Sequence, residues 1–192
     1  MKNATEYYQN SINKNKPSLL LSRFFKLKLN EKLQGNTAID IGCGAGNDTI
    51  FLLNKGFNVT AIDNEPQTKD LIEERVTNKE NLEIIIDDIS KIQLHKADLM
   101  FANFSLFFVK NNFSKLMQNI LNNINLKGFF VGNFLGEEDD WKRSKTTLKK
   151  EELLNYFDKY KITYFSEEKY YQDTITKKGK FWHVYTIIAQ KK

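Results

Sequence analysis

Residues 37–49 have the sequence TAIDIGCGAGNDT, an apolar run that leads into three glycines at alternate positions. The apolar run predicts a buried strand, and a stripe of apolar residues over positions 50–57 predicts a helix directly behind the glycines. A strand, a glycine turn and a helix in this order bring backbone amides and a helix N-terminus close to a ligand. The stretch therefore predicts a ligand-binding turn at the carboxyl end of a strand.

The spacing of the glycines bears on the class of ligand. The dinucleotide fingerprint G-x-G-x-x-G would need a glycine at position 47, where this chain has Asn47. A second predicted strand ends in Asp63, which follows Gly46 by nearly the ~20 residues expected of an acid that binds a ribose. A nucleoside ligand is predicted. An NAD-type dinucleotide is the weaker alternative, and an ordinary tight turn with a capping aspartate is disfavoured.

Hydrophobic spacing predicts the other elements. Leu82 to Ile86 is nearly all apolar, which predicts a strand buried on both faces. The lysine- and glycine-containing turn at 177–180 predicts a final antiparallel hairpin. The remaining predicted elements are helices over 18–33, 48–55, 66–76, 113–124 and 150–157 and strands over 97–102, 129–134, 161–171 and 181–190.

The segment 39–46 resembles the first motif of class I S-adenosylmethionine (SAM) dependent methyltransferases. The resemblance continues through residues 59–63, 87–89, 97–105 and 128–131. Within the class, residues 134–136 and 139–141 are most similar to the small tellurite-resistance-type branch. The resemblance implies an α/β, Rossmann-like fold: a seven-stranded, mostly parallel sheet in the order 3-2-1-4-5-7-6, with a C-terminal antiparallel hairpin and helices on both faces. It implies a single domain over 1–192, with 1–34 as an N-terminal helical segment that forms a lid.

The resemblance also implies SAM as the cofactor and S-adenosylhomocysteine (SAH) as its product. Asp63 is expected to bind the ribose, Asp88 the adenine amine, with Asp87 as the alternative in register, and the Ile89 amide the adenine ring. Asp40 and Asp48 are candidates for the amino-acid end of the cofactor. The full set of predicted cofactor-binding residues is Asp40, Gly42, Gly44, Gly46, Asp48, Asp63, Asn64, Asp88, Ile89 and Asn103.

The methyl acceptor is expected at the same edge of the sheet. In the resembling family Tyr7 or Tyr8 would belong to the lid and face the sulfonium, and simple packing of both is an equal alternative. Asn103 stands where amine-methylating enzymes begin Asn-Pro-Pro-Tyr, but no proline follows, which argues against the DNA-adenine and glutamine branches. The predicted pocket residues are Tyr7, Tyr8, Asn103, Phe104, Trp141, Arg143 and His183.

Trp141 and Arg143 lie in the loop after the fifth strand, where contact with the substrate and simple solvation are equally weighted. For His183 a core or edge-strand position is favoured over a role in the substrate cavity. No side chain is assigned as a catalytic base.

Composition narrows the class of protein. The 192 residues suit one domain, and 41% hydrophobic residues suffice for a core. The single cysteine, Cys43, excludes an internal disulfide and offers no metal cluster, so no metal is predicted. No apolar run approaches the ~20 residues that span a bilayer, and the N-terminus has no signal-peptide core, so a cytoplasmic protein is expected. The net charge of +5 is spread along the chain, and a nucleic-acid partner is disfavoured.

These patterns predict an enzyme that transfers the methyl group of SAM to a small molecule by in-line displacement. The expected assembly is a monomer or homodimer without a membrane partner. Methylation of RNA or protein, suggested by the basic charge, is one alternative. A SAM-binding module without transfer activity is another.

Overall fold

The computed structural model describes Tyr8, residues 16–174 and residues 177–192, and its central feature is one mixed sheet. The strands are β1 (Thr37–Ile41), β2 (Asn58–Asp63), β3 (Leu82–Ile86), β4 (Ala97–Ala102), β5 (Ile124–Gly136), β6 (Thr147–Leu148), β7 (Tyr160–Gln172) and β8 (Lys180–Lys191). The helices of the described residues are α1 (Leu19–Lys26), α2 (Asn47–Asn54), α3 (Gln67–Glu73), α4 (Phe113–Asn122) and α5 (Lys150–Tyr156). Short 3-10 turns cover 30–32, 89–91 and 106–108.

The strand order is β3-β2-β1-β4-β5-β8-β7. Strands β1 to β5 are parallel, whereas β8 runs antiparallel to both β5 and β7. The two-residue β6 pairs with Leu135 and Gly136, beyond the point where β4 ends. Apart from this short extra strand, which the sequence patterns missed, the predicted order and the predicted C-terminal hairpin are confirmed.

Helices cover both faces of the sheet, as predicted. Leu99 and Phe101 of β4 pack with apolar residues of α1 and α2, whereas Met100 and Ala102 pack with those of α4 and α5. Successive side chains of a strand point to opposite faces, so this alternation shows that β4 is buried on both sides.

Two predictions about secondary structure are wrong. Strand β3 is not buried on both faces; it is the edge strand of the sheet, pairs with β2 alone among the described strands and leaves Glu83 exposed. The first predicted helix, 18–33, ends at Lys26 because Lys28 adopts a left-handed backbone with φ of 54°. The amides of Lys28 and Leu29 return to Phe25 O and Phe24 O, which is the Schellman pattern of helix termination. Leu29 is thereby buried in the core.

The parallel strands place their carboxyl ends at one edge of the sheet. The glycine turn follows β1, Asp63 ends β2, Asp87 follows β3 and Asn103 follows β4. In open α/β sheets ligands bind at this edge. The topology therefore brings residues that are far apart in sequence to one site.

Candidate functional site

Two of the three glycines are required by close packing as well as by backbone conformation. Gly42, Gly44 and Gly46 have φ values of 72°, 54° and 78°, a region that favours glycine. A Cβ at position 42 would overlap the side chain of Ser105, and a Cβ at position 46 would overlap that of Ile72. The turn is thus held tightly between the segment after β4 and helix α3.

Asp63 joins the turn to the end of β2. The Gly44 amide donates to Asp63 Oδ2 at 2.8 Å, and the Glu65 amide donates to Asp63 Oδ1 at 3.0 Å. The carboxylate remains half-buried, and each oxygen has a second lone pair available to a hydroxyl. This arrangement fits the predicted ribose-binding role. The next residue, Asn64, is exposed.

Asp88 follows at the end of the neighbouring strand. The Asp87 amide donates to Asp63 O at 3.1 Å, which places the two strand ends side by side. Asp88 caps the short turn that begins at Ile89, and its Oδ1 accepts the Ser90 amide at 2.9 Å. This hydrogen bond lowers the pKa of Asp88, so the carboxylate is ionised and suited to accept a hydrogen bond from an amine. Ile89 is half-buried beside it.

Asp40 and Asp48 lie beneath the turn. Asp40 Oδ2 accepts the Thr49 hydroxyl at 2.6 Å, and Asp48 Oδ1 accepts the Ser18 amide at 2.7 Å. Burial raises the pKa of both carboxyls, and for Asp40 the nearby Asp48 raises it further. Ser18 also caps helix α1, so Asp48 ties the N-terminal segment to the glycine turn.

The raised pKa of Asp40 predicts a pH-dependent stability. In the unfolded chain Asp40 ionises near pH 4, whereas the folded chain holds its proton to higher pH. Its contribution to stability is therefore fully present below about pH 4 and is lost as the pH rises through the raised pKa. Asp40→Asn keeps an acceptor for Thr49 and does not titrate. The free energy of unfolding of the wild type, measured in urea relative to this variant, is expected to fall steadily from pH 4 upward. A constant difference between the two proteins would contradict this.

Cys43 lies within the glycine turn, and Tyr8 lies next to it. Burial raises the pKa of the Cys43 thiol, which favours a packing role over a nucleophilic one. Tyr8 is buried, and its ring lies 3.3 Å from the position of a Cβ on Gly44. Burial and the charge of Asp63 raise the pKa of the Tyr8 hydroxyl above its usual range. The predicted partner Tyr7 lies outside the described residues.

The segment after β4 connects the turn to the acceptor side. Asn103 is half-buried at the strand end, and Phe104 has a φ of 52°, an uncommon conformation for a bulky side chain. The Ser105 hydroxyl donates to Ile41 O at 2.6 Å and fills the space beside Gly42. The Phe104 ring packs edge-on against Trp182, with ring centroids 5.7 Å apart.

An aromatic cluster lies beyond Phe104. Trp141 and Trp182 are in edge contact at 5.2 Å, Phe107 lies 6.0 Å from Trp141, and Tyr170 stacks on Trp182 at 6.4 Å. We call the group of Phe104, Phe107, Trp141, Tyr170 and Trp182 the aromatic cluster. Its rings come from the segment after β4, the loop after β5 and the strands β7 and β8.

A buried ion pair supports this cluster. Lys180 and Asp139 have side chains with no solvent exposure, and Lys180 Nζ lies 2.7 Å from both carboxylate oxygens of Asp139. The same Nζ lies 3.5 Å from the ring centroid of Trp182 and 4.5 Å from that of Trp141. Asp139 also accepts the amides of Trp141 and His183. The pair therefore fixes the loop after β5 onto strand β8.

Both ring nitrogens of His183 have partners. The Glu138 amide donates to Nδ1 at 3.3 Å, so Nε2 carries the hydrogen that faces Glu167 Oε1 at 3.1 Å. The side chain is buried against Gly136. This environment agrees with the favoured core position. Arg143, in contrast, is exposed on the loop.

Several site residues were not found from the sequence. Asp139 lies in the stretch that resembles the tellurite-resistance-type branch and Lys180 in the predicted hairpin turn, but they are 41 residues apart and no pattern indicated that they pair. Arg75, discussed below, is likewise far from the turn that it contacts. Aromatic enrichment near the hairpin was visible in the sequence, but nothing there indicated that Tyr170 and Trp182 meet Phe104. No group of metal-ligating side chains occurs among the described residues, and none of the helices described there is long and apolar enough to span a membrane.

Comparisons with known proteins place this site in a family context. A family model described as tellurite resistance protein TehB matches residues 26–180. The crystal structure of TehB from Haemophilus influenzae is similar with a TM-score of 0.71 at 18% identity, over 86% of this chain and 61% of that one. The N-methyltransferase NodS from Bradyrhizobium japonicum WM9, crystallised with SAH, has a TM-score of 0.68 at 15% identity, over 89% of this chain and 85% of that one.

One curated relative is named as an enzyme that methylates RNA. A probable ribosomal RNA small subunit methyltransferase A of Methanosphaera stadtmanae is 31% identical over 108 residues, which cover 53% of this chain and 40% of that protein. The chain thus spans less than two thirds of the length of this relative and of Haemophilus influenzae TehB.

Proposed function

This chain belongs to the TehB family of class I SAM-dependent methyltransferases, and we propose that it transfers the methyl group of SAM to a small-molecule acceptor. The family membership confirms the predicted resemblance and the predicted branch. The proposal rests on one observation: hydrogen bonds join the glycine turn to the ends of β2 and β3. The Gly44 amide donates to the Asp63 carboxylate, and the Asp87 amide donates to Asp63 O.

The residues at this edge fit the cofactor. The turn has no Cβ atoms at Gly42, Gly44 and Gly46, so a ligand can approach its backbone. Two half-buried carboxylates, Asp63 and Asp88, offer acceptors for hydroxyl and amine groups. The contacts of Asp40, Asp48, Asn64, Ile89 and Asn103 with SAM remain proposals, as does a lid that contains Tyr8.

The reaction needs alignment more than acid–base chemistry. When bound, SAM supplies a methyl group on a positively charged sulfur, and an in-line displacement moves it to a nucleophilic acceptor atom. The chain's own contribution is to hold donor and acceptor in line and to exclude water. Ser105 packs against Gly42, and the adjacent Phe104 packs against Trp182, so two consecutive residues set the turn against the aromatic cluster. We propose that this cluster forms one wall of the acceptor site. With both nitrogens of His183 occupied, no catalytic base is assigned.

Cofactor binding is tested with Asp63→Ala. The wild type is expected to bind SAH, and the variant is expected to lose about 1–3 kcal/mol of binding free energy because ribose hydroxyls and the Gly44 amide lose their acceptor. Isothermal titration measures both affinities. Asp70→Ala, which removes an exposed carboxylate from helix α3, is the matched control and should bind as the wild type does. Absence of SAH binding by the wild type would refute the proposed function.

Methylation of RNA is the second candidate, favoured by cations near the aromatic cluster. Lys110, Lys142 and Arg143 are exposed, and Lys145 lies 3.9 Å from the ring centroid of Phe108. Within residues 16–174 and 177–192, none of these four cations forms an ion pair with a carboxylate. Phe108 is exposed, and a positive surface beside an exposed aromatic ring is a feature of single-strand binding sites.

Radiolabelled SAM distinguishes the acceptor classes. Label from the methyl group is offered to a panel of small thiols, amines and phenols, and in parallel to cellular RNA. Transfer to the panel supports the first proposal, and salt-sensitive transfer to RNA supports the second. Label in neither pool, despite SAH binding, supports a binding module without transfer activity. A single domain over 1–192, a cytoplasmic location and a monomeric or homodimeric state also remain proposals.

A further inference from the structure

The glycine turn is held from behind by Arg75. Its Nη1 donates to Ala45 O at 2.6 Å, and its Nη2 donates to Asn47 Oδ1 at 2.6 Å. Ala45 lies between two of the glycines, and Asn47 is the first residue of helix α2. One guanidinium therefore bridges the last part of the turn and the start of the helix.

Arg75 supplies a hydrogen-bond donor to a carbonyl of the glycine turn. The amides of Gly42 and Cys43 donate to Ile62 O, and the Gly44 amide donates to Asp63, so the first half of the turn is tied to β2 through its donors. In the second half of the turn, the Ala45 carbonyl needs a hydrogen-bond donor, and Arg75 provides it. A glycine-rich segment loses much conformational entropy when it is ordered, so such fixed contacts decide whether its amides are preorganised.

Helix α3 completes the support. Asp63 precedes the helix and Arg75 follows it, and Ile72, near its end, fills the space beside Gly46. The turn is thus hydrogen-bonded by Asp63 at its middle and by Arg75 at its end, and Ile72 packs against one side of it. All three contacts come from the β2–α3 segment and the residues just after it.

We propose that Arg75 is a positioning residue that preforms the glycine turn and thereby sets the affinity for SAM and SAH. The proposal rests on the proposed function, because it assumes that the cofactor binds at this turn. A planar guanidinium donates two parallel hydrogen bonds to two fixed acceptors, whereas an ammonium acts as a point charge without this fork. Arg75 contacts the back of the turn rather than the reacting atoms, so the binding step should respond and the transfer step should not.

The expected result is a split between binding and turnover. Arg75→Ala should raise the dissociation constant for SAH, and the KM for SAM, by about tenfold or more, since two charge-assisted hydrogen bonds are lost. The kcat at saturating SAM should remain within about twofold of the wild type. Millimolar guanidinium, kept below denaturing concentrations, should restore part of the lost affinity in this variant. Arg75→Lys keeps the charge but not the fork, and most of the loss should persist.

Titration of SAH into the folded proteins decides the matter, with circular dichroism to confirm folding. The matched control is Lys79→Ala, which removes a nearby cation whose partner, Glu73, lies on the surface. It should bind SAH normally and show no guanidinium effect. If Arg75→Ala does not fold, Arg75→Lys decides. Unchanged affinity in a folded Arg75 variant, or a fall in kcat with unchanged affinity, would overturn the inference. A wild type that does not bind SAH would instead refute the proposed function.

Discussion

Lys180→Ala is expected to lower the free energy of unfolding by about 3–5 kcal/mol, because it leaves Asp139 buried without a countercharge. Burial lowers the pKa of Lys180, and the hydrogen bond and charge of Asp139 offset part of this effect, so Asp139 favours the charged ammonium of Lys180. The truncation also removes the contacts of the ammonium with Trp141 and Trp182. The cost is therefore much larger than that of an ordinary lysine substitution.

Urea unfolding followed by circular dichroism measures this change. Tryptophan fluorescence is a second probe, since both tryptophans of the chain flank Lys180. Lys177→Ala is the matched control. It breaks an ion pair with Asp140 in which both side chains are partly exposed to solvent, so the loss of unfolding free energy should be far smaller. Adding Asp139→Asn to Lys180→Ala should recover part of the lost stability, because the unpaired charge is removed. Equal effects of the Lys180 and Lys177 variants would show that the buried pair does not support the fold.

Gly42→Ala is expected to cost about 2–5 kcal/mol of stability and to abolish measurable SAH binding. An alanine with φ near 72° costs about 1–2 kcal/mol, and forcing a Cβ into the space of Ser105 costs about 1–3 kcal/mol more. The turn can relieve the overlap only by moving away from Ser105. Such a movement would carry the Gly44 amide away from Asp63 and disturb the proposed binding surface.

The chain offers a close control for this substitution. Gly56 also has a left-handed backbone, with φ of 84°, but the space around its Cβ position is open. Gly56→Ala should therefore show only the conformational part of the cost and leave SAH binding intact. The double variant Gly42→Ala with Ser105→Gly should regain part of the stability, because the overlap is removed. Similar losses in Gly42→Ala and Gly56→Ala would exclude close packing as the cause.

The positions of the strands and the cofactor edge could be predicted because their signals are local, whereas the strand order followed from the family resemblance. Alternating glycines, strand-ending aspartates and apolar runs of strand length each occur within a short segment, and β3 and β4 were predicted with their observed bounds. The length of the first helix was harder to predict from the sequence. Its apolar spacing continues past Lys26, and this spacing does not indicate the left-handed turn at Lys28 that buries Leu29.

The sequence by itself thus determined the glycine turn and the acids at the strand ends, because each depends on neighbours along the chain, and its motifs indicated the class of the fold through the family resemblance. Only the tertiary structure decided which side chains support them. Arg75 reaches the turn across 30 residues, and Lys180 reaches Asp139 across 41. Such pairs form because burial of the sheet faces brings separate elements together. The sequence around either partner does not indicate which residue it will contact. The same packing makes β3 an edge strand despite its apolar sequence.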